Sequence, residues 1–366
     1  MTLKGKGYYI WQIPHCEGGN VEAIAAAARR AGLGYVLIKV ANRTYAYNYD
    51  WRRRIDYVPP LVKALRAQGI GVWGWQYVYG DDPAGEANIA IRRIRELGLD
   101  GFVVNAEAEY KHPGKAKAAT TYMKRLRSAL PNLPIGLSSY RYPSYHPQLP
   151  WKEFLTYCDY NMPQVYWMQN HNPGAQLKRS VREFEGMAPF RPIIPTGATF
   201  SERGWTPTPE EVLEFLQTAQ SLNLSSVNFW SWDSARPALP DLWTVVANFP
   251  WEGAPPPVLD ITEQLVEALN THDPDKAAAL YAENAVHVNA VRTIQGKANI
   301  RTWYATLFGQ ILPNAKFTLT GYSGKGNSRH MVWEAVSSAG AVRNGNDTLG
   351  LQDGKIAYHY TFFTVG

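Results

Sequence analysis

Cysteine is almost missing from this chain. Only Cys16 and Cys158 occur in 366 residues, and neither belongs to a cluster with metal-ligand spacing. That excludes a disulfide-stapled scaffold and a zinc-ribbon type of site, and two buried free thiols are the expected state. Long apolar runs are missing as well. No stretch approaches the roughly 18 residues that a membrane-spanning helix needs, so no membrane partner is expected. The opening residues, Met1 to Gly7, hold no apolar leader segment and run straight into a strand. No secretory signal is therefore expected, and the localisation stays open between the cytoplasm and release by another route. There is no low-complexity tract and no nucleic-acid motif. A Gly-rich phosphate loop is also lacking: residues 13–19, Ile-Pro-His-Cys-Glu-Gly-Gly, match it poorly, which argues against an open doubly wound nucleotide-binding sheet. Neither a metal nor a cofactor is expected, and His15 and His171 have no partner pattern.

What is present is an ordinary globular composition, with 45% hydrophobic and 19% charged residues. A chain of 366 residues is long for one core, and two domains are the natural expectation. The formal charge of +6 is uneven. Residues 1–257 carry 28 Lys+Arg against 22 Asp+Glu, whereas residues 258–366 carry nine of each. A basic first part suits an anionic polymer such as a bacterial cell wall, although solubility alone also accounts for it.

The clearest boundary is Trp251-Glu252-Gly253-Ala254-Pro255-Pro256-Pro257. A Gly followed by three prolines can join neither a helix nor a central strand, and it reads as a semi-rigid linker. The organisation expected is thus 1–252, a linker at 253–257, and 258–366. Before the linker, short runs rich in β-branched and aromatic residues alternate with helical segments. Candidate strands fall at 8–13, 35–40, 71–77, 101–106, 135–139, 164–166, 193–196 and 227–232. Helices are expected at 21–31 behind Asn20, a good N-cap, and from Thr208-Pro209-Glu210-Glu211 onward, where Pro and acids suit a first turn. Eight strand–helix units in about 250 residues predict a (β/α)8 TIM barrel. After the linker, helices at 260–270, 274–281 and 298–308 precede alternating strands at 316–322, 330–338, 345–352 and 355–364, an α+β pattern.

In such a barrel the active site lies at the carboxyl ends of the strands. On the fourth strand, alternation puts Val103, Asn105 and Glu107 on one face and Phe102, Val104 and Ala106 on the other. If the odd set faces the lumen, Asn105 and Glu107 emerge at the catalytic end, where desolvation among aromatics raises a carboxyl pKa and suits a general acid. Glu109 continues that parity into the loop. Trp11, Trp73, Trp75, Tyr77, Tyr140, Tyr142, Trp167 and Trp232 fall on or just after strands. Their planes can stack on the apolar faces of sugar rings. Asp233 at the end of the eighth strand is a supporting polar candidate, and Asp81-Asp82 after the third reads as a solvated loop tip.

Leu99 through Glu107 resembles the fourth-strand signature of glycoside hydrolase family 18, the chitinase and endo-N-acetylglucosaminidase family, at every position except Val103, where that family has Asp. Val227-Asn228-Phe229-Trp230-Ser231-Trp232-Asp233 resembles its last strand, and Met162-Pro163-Gln164-Val165-Tyr166 its sixth. The resemblance implies a β-linked N-acetylhexosamine glycan as partner, with Glu107 as general acid. It also implies a substrate-assisted retaining mechanism, with Asn105 orienting the acetamido group in place of Asp, Tyr166 holding that group, and Trp230 as the floor under the sugar. Gln164, Trp11, Trp75, Tyr140, Trp232, Asp233 and Glu109 complete the candidate cleft. Two alternatives stay open. Val103 and Asn105 also suit a catalytically inactive sugar-binding barrel. Asn105-Ala106-Glu107 also resembles the acid pair of family 25 cell-wall muramidases, which carry a further Asp on the first strand.

Residues 265–273, 277–288 and 294–301 resemble the nuclear-transport-factor-2-like superfamily in its SnoaL-like branch. That implies a cone-shaped α+β fold with pocket candidates His287, Trp303, Tyr304, Trp333, His330 and Tyr358, an accessory role, and a possible homodimer through the sheet.

Overall fold

The computed structural model describes residues 3–251, 259–324 and 326–366. The chain divides into two compact units, 1–257 and 258–366. The segment expected to be a linker, 253–257, lies outside the described residues.

The first unit is a closed (β/α)8 TIM barrel. Its strands are β1 (Gly5–Ile10), β2 (Leu33–Asn42), β3 (Gly71–Val78), β4 (Gly101–Ala106), β5 (Ile135–Tyr140), β6 (Tyr160–Gln164), β7 (Thr196–Ala198) and β8 (Ser226–Trp230). Each pairs in parallel with the next, and β8 closes on β1. Helices cover the outside, beginning with α1 (Val21–Arg30). The Asn20 side chain caps α1 by accepting from the Ala23 amide at 3.1 Å. A later helix, Pro209–Ser221, starts where Pro209 and the acids after it were expected to begin one, and the Thr208 and Glu211 side chains close a capping box there.

Four strands differ from expectation: β1 lies three residues before the expected 8–13, and β8 ends two residues before the expected 232. β6 begins four residues before the expected 164–166, and β7 begins three residues after the expected 193. Residues 165–166 and 193 still lie beside the sheet, through the Val165 amide bond to the Thr196 carbonyl and a bridge from Asn161 to Ile193. A short apolar run marks the neighbourhood of a strand but not its hydrogen-bonded limits.

Large side chains fill the lumen. Tyr9, Tyr35, Leu37, Trp73, Trp75, Val103, Tyr160, Met162 and Ile194 form one inner cluster, whereas Phe102, Val104 and Ala106 pack outward under the helices. The parity expected for β4 is therefore the observed one. Glycines make room for the rings. A methyl on Gly7 would sit 2.3 Å from the Tyr35 ring, and one on Gly101 would sit 2.3 Å from Trp73. At the amino end, Lys6 is buried, yet its ammonium donates to the carbonyls of Val246, Ala247 and Phe249 at 2.8–2.9 Å. Cys16 and Cys158 are buried free thiols.

The second unit is an NTF2-like α+β fold. Helices α2 (Ile261–Asn270), α3 (Pro274–Ala278) and α4 (Lys297–Thr306) pack on a six-stranded sheet. Its strands are β9 (Tyr281–Val288), β10 (Thr293–Gln295), β11 (Lys316–Ser323), β12 (Ser328–Ser337), β13 (Gly340–Gln352) and β14 (Lys355–Phe362). The order is β10-β9-β14-β13-β12-β11, with only the β9–β14 pair parallel. The helix expected over 274–281 stops at Ala278, because Tyr281 is the first inward side chain of β9. Leu265, Leu269, Ile300, Tyr304, Phe317, Trp333, Leu349 and Ile356 belong to its core.

Candidate active site

Hydrogen bonding in β4 ends at Ala106, and the chain turns into a 3-10 helix, Ala108–Lys111. Glu107 thus stands half-buried at the carboxyl end of the barrel, on the same face as Val103 and Asn105. The Gln164 side-chain amide reaches across from β6 and donates to Glu107 Oε1 at 2.9 Å, to Asn105 Oδ1 at 3.1 Å and to Ser138 Oγ at 3.3 Å. Desolvation is the largest influence on the Glu107 carboxyl and raises its pKa. The Gln164 and Asn105 side chains oppose that rise, the charge of Glu109 adds to it, and Lys111 lowers it. A carboxyl that keeps its proton above the usual range, in reach of a lumen, is the form a general acid needs.

A cluster of aromatic rings joins the ends of β1, β3 and β8. Trp230, half-buried at the end of β8, lies edge-on to Trp75 at 5.4 Å, with Tyr9 at 5.7 Å and Trp11 at 6.2 Å. Trp11 is 42% exposed at the rim. The Trp75 indole N–H donates to the Ile10 carbonyl at 3.1 Å, which fixes the ring. Tyr166 is edge-on to Phe200 at 5.1 Å; burial pushes its hydroxyl pKa up, with further contributions from Tyr9 and Glu107. Tyr140 stacks on His146 at 3.7 Å beneath the Lys111 ammonium, and its pKa is pushed up to about 12 by burial first and then by Glu107 and Glu109. Glu109 accepts from the Tyr77 hydroxyl at 2.8 Å.

Several expected members stand elsewhere. Trp232 is fully buried outside the barrel, packed 4.6 Å from Trp243, because β8 ends at Trp230 and Trp232 opens the helix Trp232–Ala238. Strand parity no longer applies past that end. Asp233 lies beside the mouth, but both its oxygens are occupied: Oδ2 accepts from the Trp11 amide at 2.8 Å and Oδ1 from the Gln12 amide at 2.5 Å. It clamps the loop that carries Trp11 rather than offering oxygens to a ligand. Trp167 is buried against Phe215 and donates to Glu211, and Tyr142 packs beside Gln176 and Arg179 on the helical shell. Trp73 is buried deep in the lumen. Asp82 caps the helix Pro83–Leu97, and Asp81 pairs with Lys115, so that loop tip is structural.

Lys39 escaped sequence reasoning. It shares the lumen parity of Tyr35 and Leu37, and a lysine inside the apolar run Val36–Val40 was the available signal. Its ammonium lies 4.3 Å from the centroid of Tyr47, 4.8 Å from Trp75 and 5.9 Å from Trp11.

The cone of the second unit holds another polar cluster. Asp347 Oδ1 accepts from the Trp333 indole at 3.0 Å and from the Thr361 hydroxyl at 2.5 Å, and Oδ2 faces His359 Nε2 at 2.9 Å. His359 Nδ1 meets the Tyr281 hydroxyl at 2.5 Å, which meets the Tyr304 hydroxyl at 2.6 Å. His287 Nδ1 lies 3.2 Å from His359 Nδ1, and burial, reinforced by His359, lowers the His287 pKa to about 2. Trp303 flanks His287 at 5.8 Å. His287, Tyr304 and Trp333 therefore do converge, but as a buried network centred on Asp347 and His359. These two were legible only as polar residues at inward positions of β13 and β14. His330 and Tyr358 are exposed and take no part.

The described cavities lie elsewhere. One of about 520 Å³ is lined by Arg127, Asp159 and Arg191 at the amino end of the barrel, and one of about 300 Å³ by Tyr142, Tyr145 and Arg179. Among the described residues no group of three or more His, Cys, Asp or Glu is placed to hold a metal, and no helix is long and apolar enough to cross a membrane.

Residues 262–359 match the SnoaL-like domain family. A putative isomerase of the SnoaL-like family from Agrobacterium tumefaciens is similar in structure, at 24% identity over 28% of this chain and 94% of its own, with a TM-score of 0.26. An NTF2-like protein of unknown function from Mesorhizobium loti is similar at 22% identity, over 28% of this chain and 88% of its own, with a TM-score of 0.26. No curated protein matches the chain. The molecule is thus a TIM barrel followed by a SnoaL-like domain, and the barrel carries no family assignment from these comparisons.

Proposed function

We propose that the barrel is a retaining glycoside hydrolase acting on a β-linked N-acetylhexosamine glycan, with Glu107 as general acid. The observation that carries this reading is the position of the Glu107 carboxyl, at the carboxyl end of β4 on the face of Val103 and Asn105 and held there by Gln164. The family 18 resemblance supports it through Leu99–Glu107. In this mechanism Glu107 protonates the glycosidic oxygen while the substrate's own acetamido oxygen attacks the anomeric carbon, one of the exceptions to the two-carboxylate rule. Gln164 holds both Glu107 and Asn105, so the acid and the amide that would orient the acetamido group share one anchor. The resemblance gives Tyr166 the part of donating to that group, and Trp230 and the exposed Trp11 the part of stacking the sugar.

The inactive, sugar-binding reading is favoured by one specific observation. Val103 is fully buried in the inner cluster, where the resembling family carries an acid that tunes its neighbour. The muramidase reading has less support, since β1 presents Tyr9 to the lumen and Trp11 to the rim and offers no carboxylate there. A panel of chitin oligosaccharides and cell-wall glycan, assayed for new reducing ends with wild type and Glu107→Gln, separates the readings. Cleavage lost in the variant supports the hydrolase, with retained anomeric configuration in the product. Binding by both proteins without cleavage sinks it in favour of the inactive barrel.

A further inference from the structure

Two lysines are buried in the barrel, and they are treated differently. Lys6 is 2% exposed, and three backbone carbonyls take its ammonium protons. Lys39 is 6% exposed. Among the described residues its ammonium has no hydrogen-bond acceptor and no ion-pair partner; it rests on the faces of Tyr47, Trp75 and Trp11. Burial lowers both lysines to a pKa of about 8, and for Lys39 the charge of Glu107 works against that shift. Ring faces attract a cation, but they do not replace the acceptors its N–H groups lose on leaving water. An ammonium held this way has donors to spare, and they sit at the mouth.

Its position is also fixed. Buried Asn48 donates to the Lys39 carbonyl at 2.9 Å and to the Trp11 carbonyl at 3.1 Å, and accepts from the Ile13 amide at 2.9 Å. One side chain thereby locks the lysine strand to the loop that presents Trp11, which Asp233 clamps from the other side. A cation on a strand held in this way, beside the exposed ring of Trp11, is a preorganised anion receptor. Within the first unit the surplus charge is positive as well, which raises the local concentration of an anionic polymer.

We propose that Lys39 binds a carboxylate carried by the sugar stacked on Trp11, so that the barrel selects an acidic N-acetylhexosamine chain over a neutral one. This rests on the glycan reading of the same site. It makes Lys39 a specificity-determining residue rather than a partner kept for Glu107.

The test uses the full chain with Glu107→Gln, so that bound sugar is not consumed. Two probes are compared by calorimetry: a tetrasaccharide alternating N-acetylglucosamine and N-acetylmuramic acid, and the same tetrasaccharide with its lactyl carboxylates reduced to alcohols. The acidic probe binds tighter by about tenfold or more, as a charge-assisted hydrogen bond allows. Lys39→Met brings that ratio close to one, and Lys39→Arg keeps most of it, with thermal melting showing that each variant is folded. If both probes bind and the ratio is near one, or survives Lys39→Met, the role of Lys39 is overturned while the glycan reading stands. If neither probe binds, the glycan reading falls and takes the Lys39 proposal with it.

Discussion

The barrel mouth and the cone of the second unit each bury ionisable side chains, and they do so in opposite ways. At the mouth, Glu107 is half-buried and has one amide donor in Gln164, with the charge of Lys39 within electrostatic reach. In the cone, Asp347 is almost completely buried, and Trp333, Thr361 and His359 surround both of its oxygens. A buried polar group with full partners rigidifies its surroundings, whereas one left short of partners is poised to act on something else. The contrast fits the proposed role of the mouth, and in the second unit it marks Asp347 as a structural centre while, among the described residues, His287 Nε2 is left without a partner.

The largest expected effect is at the mouth. Glu107→Gln should lower turnover of any cleaved glycan by about 10²- to 10⁴-fold, the usual contribution of a positioned general acid. The same variant should melt higher at neutral pH. The folded-state pKa of Glu107 is raised, so its favourable neutral form is fully present below the unfolded carboxyl range and is lost as pH rises through the folded value. Gln removes that loss, giving a higher melting temperature at pH 7 and a difference that shrinks as pH falls into the ordinary carboxyl range. A variant less stable at both pH values would show that the carboxylate is held for structure, and the contrast between the two regions would break.

Asp347→Ala should destabilise the second unit by about 3–5 kcal/mol, since it strands three partners of a buried charge, while leaving glycan cleavage unchanged. Chemical denaturation followed at the transition of the second unit checks it. A loss below about 1 kcal/mol would mean that the cone cluster is as loosely held as the mouth. Gly101→Ala should weaken the barrel by about 1–3 kcal/mol, because the new methyl would press on Trp73. Its readout is the melting of the barrel, and no loss would mean the lumen has slack.

The last expected effect is a slope with pH rather than a fixed loss. The folded-state pKa of His287 is depressed to about 2, so its contribution is present above the unfolded value near 6.5 and drains away as pH falls from there towards 2. The second unit should lose about 1.4 kcal/mol per pH unit in that window through this group. His287→Gln should flatten the slope by that amount, and an unchanged slope would show that His287 is open to water.

Much of this was legible from residues. The alternation of apolar runs and amphipathic helices gave the two folds, and β4 was found with its true limits, because Gly101 to Ala106 is an apolar run ended by a polar turn. The same alternation put Asn105 and Glu107 on the lumen face. It failed for Trp232, where strand parity was carried past the end of β8 into a helix. It missed Lys39, Asp347 and His359, because an inward polar residue in an apolar strand reads locally as an irregularity until its partners are known.

The chain by itself determined which residues of β4 share a face, since side-chain alternation is a local property of the backbone. Only the tertiary structure decided who meets whom. Gln164 is 57 residues from Glu107, and Asp347 is 12 from His359. What joins them is the register with which the strands pair and, in the barrel, close, and no local pattern fixes that register.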